Sequence, residues 1–164
     1  MRVSAVAYFA KTLEGVKDFS YKITAISHNH PEGIKGAEAT AVAIFLALQG
    51  KSKEEIKEYI VQNYYPINFT LDKIRPFYVF QASCQETVPQ ALEAFFESAD
   101  FEDAIRNAIS IGGDSDTIWA ITGSVAEAYY GVPKKMKKFV RSKLDNNLCG
   151  KLLEIEEKYG AKAA

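Results

Sequence analysis

Apolar residues recur at helical spacing along almost the entire chain, and the polar residues between them gather into two dense clusters. Val6, Phe9, Ala10, Leu13 and Val16 share one face of a helix that the pattern predicts over residues 4–17, opening at Ser4. A second short helix is predicted from Phe19 to Ile26. It leads into Ser27-His28-Asn29-His30-Pro31-Glu32-Gly33, the first polar cluster, where Pro31 and Gly33 read as helix breakers. The helix after it, Ile34 to Leu48, is apolar nearly all round from Ala37 onward, which predicts a central position, and Gly50 stands where a C-terminal cap belongs.

Ser52-Lys53-Glu54-Glu55 has the form of a capping box, in which the Ser52 hydroxyl takes one helix-start amide and Glu55 reaches back to another. The helix it opens carries Ile56, Ile60 and Val61 and stops at Tyr64-Tyr65-Pro66. Residues 67–86 show no clear period. Phe77-Tyr78-Val79-Phe80 suits a short strand or a packed loop, and irregular structure with one helical turn near Leu71 to Ile74 is the expectation. From Thr87 the helical period returns, with Pro89 in the first turn and Ala91, Leu92, Phe95 and Phe96 on one face. Asp100 and Asp103 open the next helix, whose Ala104, Ile105, Ala108 and Ile109 point inward before Gly112-Gly113 ends it.

The second polar cluster follows at once. Asp114-Ser115-Asp116-Thr117 stands at the foot of an apolar run, Ile118 to Ala126, that predicts a helix buried on every face and ending at Tyr129-Tyr130, with Gly131 as cap and Pro133 as stop. The single tryptophan, Trp119, is assigned to the core. Around Lys134-Lys135-Met136-Lys137-Lys138 the apolar Met136, Phe139, Val140 and Leu144 share one helix face, so the lysines read as a solvated face rather than a phosphate site. A last helix is expected from Leu148 to Tyr159, with a frayed end over residues 160–164. The sum is a single domain over residues 1–164, an all-α orthogonal bundle with two buried helices, each carrying a polar cluster near its N-terminal end. Packed with those ends together, the two clusters converge into one pocket.

Composition narrows the classes. With 48% hydrophobic residues, 25% charged and a formal net charge of −1, the chain has a domain's core and no charge bias toward nucleic acid. No apolar stretch is long enough to span a bilayer and Met1-Arg2-Val3-Ser4 lacks a signal-peptide core, so a cytoplasmic protein is the expectation. Cys84 and Cys149 are the only cysteines; they are expected to be reduced thiols and give no functional lead.

The polar clusters carry the chemistry. Gly112 and Gly113 free the backbone ahead of two carboxylates and a hydroxyl. Helix-start N–H groups accept a negative partner, while Asp114, Asp116 and the Thr117 hydroxyl suit a hard cation such as Mg²⁺. Capping needs only one carboxylate, and an Asp114 or Ser115 N-cap with Asp116 in the first turn explains the same spacing equally well. In the other cluster His28 is either a loop imidazole held by a backbone carbonyl or a ligand-binding group. His30 suits a turn beside Pro31, Glu32 suits a helix start, and a zinc site from His28 and His30 lacks further ligands.

Taken together, Ser27-His28-Asn29-His30-Pro31-Glu32-Gly33-Ile34-Lys35-Gly36-Ala37 and Ala104-Ile105-Arg106-Asn107-Ala108-Ile109-Ser110-Ile111-Gly112-Gly113-Asp114-Ser115-Asp116-Thr117 resemble the ADP-ribosylglycohydrolase family, and the resemblance covers almost the whole chain. It implies an all-α hydrolase that uses a pair of divalent cations, usually Mg²⁺, to cleave ADP-ribose from a side chain or small acceptor. It also implies metal ligation by Asp114, Asp116 and Thr117, proton handling by Asp114 and Asp116, and a ribose pocket lined by His28 with Gly112 and Gly113 on the substrate side. The family's other metal ligands lie on an N-terminal Thr-Asp-Asp-Thr segment that this sequence does not contain, so the match is to the C-terminal half of a family domain. The expectation is therefore binding of ADP-ribose or an ADP-ribosylated substrate, with missing ligands supplied by a separately encoded N-terminal chain or a second copy in a homodimer. Two alternatives stand beside it: a remnant that keeps the fold without turnover, and a structural or oligomerising helical module whose clusters are only caps and turns.

Overall fold

The helical periods become ten helices among the residues described by a computed structural model, which are residues 2–159; no strand occurs among them. The first predicted helix is split. Val6–Phe9 forms a single turn, α1, and the backbone then extends at Ala10 (φ −73°, ψ 141°) before α2, Leu13–Ala25. The cause is local, since the Thr12 hydroxyl accepts the Gly15 N–H at 3.1 Å and starts a new helix. This helix absorbs the separate one expected from Phe19.

The first polar cluster belongs partly to a helix rather than to a breaker loop. Helix α3 runs Pro31–Leu48, three residues longer than its predicted start at Ile34 allows. Pro31 occupies the first turn, where its missing N–H has no intrahelical partner to lose, and His30 Nδ1 caps the helix by accepting the Glu32 N–H at 3.2 Å. Ala39, Ala41, Val42, Ala43 and Ile44 are fully buried, as a central helix requires. The capping box forms as written, with Ser52 accepting the Glu55 N–H and Glu55 accepting the Ser52 N–H at the start of α4, Lys53–Asn63. Helix α5 is the expected turn, Leu71–Ile74.

Helix α6, Cys84–Phe96, begins three residues before Thr87, so Pro89 lies inside the helix instead of in its first turn. The proline takes one donor out of the ladder, the one that would meet the Gln85 carbonyl, and, one residue on, the Tyr78 hydroxyl from the preceding loop donates to the Glu86 carbonyl at 2.7 Å. Asp100 caps α7, Phe101–Ser110, by accepting the Asp103 N–H at 2.9 Å. Helix α8, Ser115–Tyr130, packs against α3, α6 and α7. Its Ile118, Thr122, Val125 and Ala126 are fully buried, and the Thr122 hydroxyl meets the Ala91 carbonyl of α6 at 2.8 Å. The central pair α3 and α8 is the core the sequence pattern calls for.

Two expectations are corrected. Helix α8 is not buried on every face, because Trp119 is 45% exposed, and on α7 Ile109 is 54% exposed rather than inward. Both border an open groove of about 790 Å³ between the α7–α8 pair and the last two helices, α9 (Lys134–Arg141) and α10 (Asn146–Tyr159). No residue of α9 is buried, so this hairpin stands off the body and leaves the apolar stripe beneath it uncovered. No helix among the described residues is long and apolar enough to cross a membrane. The tail expected to fray, 160–164, lies outside the described residues.

Candidate active site

The sequence of the α7–α8 connection dictates a tight reversal. Gly112 (φ 78°) and Gly113 (φ 63°) both take the left-handed conformation that other residues adopt at a cost, and together they turn the chain so that α8 starts with its first carboxylate facing α3. Asp114 stands at the N-cap position, yet its side chain closes no capping bond. The Thr117 N–H that a cap would use is taken by Asp116 Oδ1 at 3.0 Å. Asp116 thus takes the amide bond at the helix start, and the Asp114 side chain lines the neighbouring cavity. Hydrogen bonding with the Asp116 carboxyl foremost, and then with the Thr117 hydroxyl, holds the Asp114 carboxyl below its ordinary value.

On the other side, the end of α2 delivers His28. Its backbone N–H still bonds the Thr24 carbonyl at 2.8 Å, and its Nδ1 lies 2.8 Å from the Ser27 hydroxyl. Arg2 donates to that same Ser27 oxygen. With the Ser27 oxygen accepting from Arg2, the Ser27 proton is free to turn to Nδ1, and in that tautomer the ring's own proton sits on Nε2, which is then a donor.

The two clusters meet. A cavity of about 270 Å³ is lined by His28 together with Asp114 and Thr117, with α3 forming its floor through Gly33, Gly36 and Thr40. Asp116 is outside the lining and accepts the Thr117 N–H at the helix start. Gly112 and Gly113, expected on the substrate side, are not part of the lining; they aim Asp114 instead. His30 caps α3, as its turn reading implies.

Sequence reasoning missed a wall. Arg2, Ser83, Cys84 and Thr87 also line the cavity. The signal for Cys84 was hidden in its partner, because Gly36 is a glycine where any Cβ would stand 2.8 Å from Cys84 Cβ and 2.9 Å from its Sγ. Gly36 thereby lets the start of α6 close against α3. Burial pushes the Cys84 thiol up, away from the reactive thiolate.

Asp114, Asp116 and the Thr117 hydroxyl are the oxygen donors here that could hold a hard cation. Two carboxylates and a hydroxyl fit one face of a hydrated Mg²⁺, which takes about six oxygens and keeps several as water. Neither Asp114 nor Asp116 enters an ion pair among the described residues, so their shared charge is not met by a cationic side chain there. Nor do the described residues contain a group of three or more His, Cys, Asp or Glu side chains placed to hold a metal.

The site is thus an imidazole and an acidic cluster brought together at one cavity of an all-helical body. The ADP-ribosylglycohydrolase family model matches residues 1–161, and the chain belongs to that family. It is 30% identical to the ADP-ribosylarginine hydrolase Tri1 of Pseudomonas putida (strain GB-1) over 66% of this chain and 31% of that protein. With the human ADP-ribosylhydrolase ARH3 it shares 26% identity over 87% of this chain and 52% of that protein. An uncharacterized Archaeoglobus fulgidus protein is 26% identical over 94% of this chain and 57% of its own length. A solved structure, an ADP-ribosylglycohydrolase-related protein complex, has the same fold: TM-score 0.62 and 24% identity, covering 98% of this chain and 54% of that one. The chain thus spans about half the length, or less, of the relatives it matches.

Proposed function

We propose that this chain supplies the ADP-ribose pocket and part of the cation shell of a hydrolase that cleaves ADP-ribose from an acceptor. The observation that carries this reading is the convergence of His28, Asp114 and Thr117 on one cavity. His28 Nε2–H would donate to a ribose hydroxyl. Asp114, Asp116 and Thr117 would hold Mg²⁺, which when bound orients ribose hydroxyls and a water; Asp114 or Asp116 would then take the proton of that water. Kinship with an ADP-ribosylarginine hydrolase and an ADP-ribosylhydrolase supports the substrate class.

The rest of the shell would come from further polypeptide, in a separate chain or a second copy. The outer face of α2 supports this, since Phe19 and Ile23 are exposed and Ile26 is 86% exposed beside the His28 loop. A large apolar helix face of this kind suits packing against another helix. The alternative, a remnant without turnover, draws support from the absence, among the described residues, of a group of three or more His, Cys, Asp or Glu side chains placed to hold a metal.

Release of free ADP-ribose from ADP-ribosylarginine in Mg²⁺ tests the reading, followed by chromatography over a range of chain concentrations. The expected result is release that rises more steeply than chain concentration and falls about tenfold or more in His28→Ala, the scale of one charged or well-placed hydrogen bond. Release unchanged in His28→Ala contradicts the assigned role. ADP-ribose binding without release at any concentration favours the remnant.

A further inference from the structure

We infer that Tyr78 is a positioning residue for Asp114, and that the segment carrying it is a strap that locks the Gly112-Gly113 reversal in the conformation the site uses. The inference takes the ligand from the function proposed above, but its geometry stands without it.

The strap runs from the end of α5 to the start of α6 and is tied at both ends. Arg75 Nε donates to the Ser110 hydroxyl at 2.8 Å, at the last turn of α7. At the other end the Thr87 hydroxyl of α6, in the cavity wall, reaches the Gln81 carbonyl at 3.4 Å. Between these ties Phe77, Val79 and Phe80 are all exposed, and Tyr78 alone of the four turns inward. Its ring lies directly over Gly113: a Cβ there would stand 2.5 Å from Tyr78 Cε1, 3.0 Å from Cδ1 and 3.1 Å from the Val79 carbonyl oxygen. The ring cannot slide away cheaply, because its hydroxyl is anchored on the Glu86 carbonyl at 2.7 Å.

The consequence is a three-part clamp. Helix α6 holds the tyrosine hydroxyl, the tyrosine ring covers Gly113, and Gly113 directs the next residue, Asp114, at the cavity. A glycine pair with positive φ at both positions has many alternative conformations, and nothing within the pair selects one. The ring selects it from outside. This also gives the exposed aromatic run a reason to exist, since the register that turns Tyr78 inward leaves its neighbours outward.

Amide hydrogen exchange and ligand titration together test the inference on the whole chain, in wild type, Tyr78→Phe and Tyr78→Ala. Two reporters flank the reversal: the Gly112 N–H bonded to the Ile109 carbonyl at 3.1 Å, and the Ile118 N–H bonded to the Asp114 carbonyl at 3.0 Å. In Tyr78→Ala both are expected to exchange about tenfold faster while α3 amides keep their rates, the signature of local rather than global opening. Mg²⁺ affinity is expected to fall about tenfold, the range found when a residue supporting a metal ligand is lost. Tyr78→Phe, which keeps the ring but loses its tie to the Glu86 carbonyl, is expected to fall between wild type and Tyr78→Ala in both. Unchanged exchange in Tyr78→Ala, or equal acceleration throughout the protein, overturns the clamp; local acceleration with unaltered Mg²⁺ affinity overturns the positioning role. If wild type binds neither Mg²⁺ nor ADP-ribose, the proposed function fails and with it the positioning role, while the exchange rates still decide the clamp.

Discussion

Gly113→Ala is expected to lose about 2–4 kcal/mol of stability, whereas Gly112→Ala one position earlier is expected to lose only about 1–2 kcal/mol. Both glycines have positive φ, 78° at Gly112 and 63° at Gly113, so alanine is strained at either. Only Gly113 is also crowded, by the Tyr78 ring at 2.5 Å from a prospective Cβ, while Gly112 has nothing within 4 Å. For a chain of this size each kcal/mol moves the melting temperature by about 2–4 °C. Thermal unfolding should therefore separate the variants by several degrees. Equal melting temperatures would mean that Tyr78 does not press on the reversal.

Gly36→Ala is expected to cost about 1–3 kcal/mol through overpacking, with a large loss of ADP-ribose binding, because the site of collision is also the wall of the cavity. The new methyl would meet Cys84 Cβ at 2.8 Å and Sγ at 2.9 Å, with the Tyr65 hydroxyl at 3.3 Å. Tyr65 is buried and gives little room, so α6 would have to move away from α3 at the point where Ser83, Cys84 and Thr87 line the pocket. Removing the opposing atoms should undo the damage. Denaturant unfolding of Gly36→Ala, Cys84→Gly and the double variant is expected to give a favourable coupling of about 1 kcal/mol or more, as residues in contact do. Additive losses would show that the two helices do not meet as described.

What was legible in the sequence follows from where the determining physics lies. The central α3 and α8, the Ser52 capping box and the Asp100 cap are local patterns that form where expected, though α8 keeps one open face. Boundaries moved where a single side chain or ring decides them: Thr12 splits the first helix, and Pro31 extends α3 instead of blocking it. Trp119 and Ile109 were misassigned because an apolar residue on an apolar face reads as core, and whether another helix covers that face is a tertiary fact. The same holds for the site. His28, Asp114 and Thr117 could be picked out by chemistry, and their convergence followed from the supposition that two buried helices meet at their N-terminal ends. Cys84 and Tyr78 could not be picked out, since each matters through a glycine it touches that lies 48 or 35 residues away in sequence.

Calorimetric titration with Mg²⁺ and then ADP-ribose, on wild type and on Asp114→Ala/Asp116→Ala, tests the central claim most directly. The account predicts Mg²⁺ binding to wild type that is weak, because about half of a six-oxygen shell is water, and that strengthens ADP-ribose binding. Both effects should vanish in the double variant while it stays folded, its melting temperature lowered by a few degrees through loss of the Asp116 bond to the Thr117 N–H. Equal Mg²⁺ and ADP-ribose binding by the two proteins, or none by either, would contradict the claim that the Gly112–Thr117 segment and His28 form one working pocket.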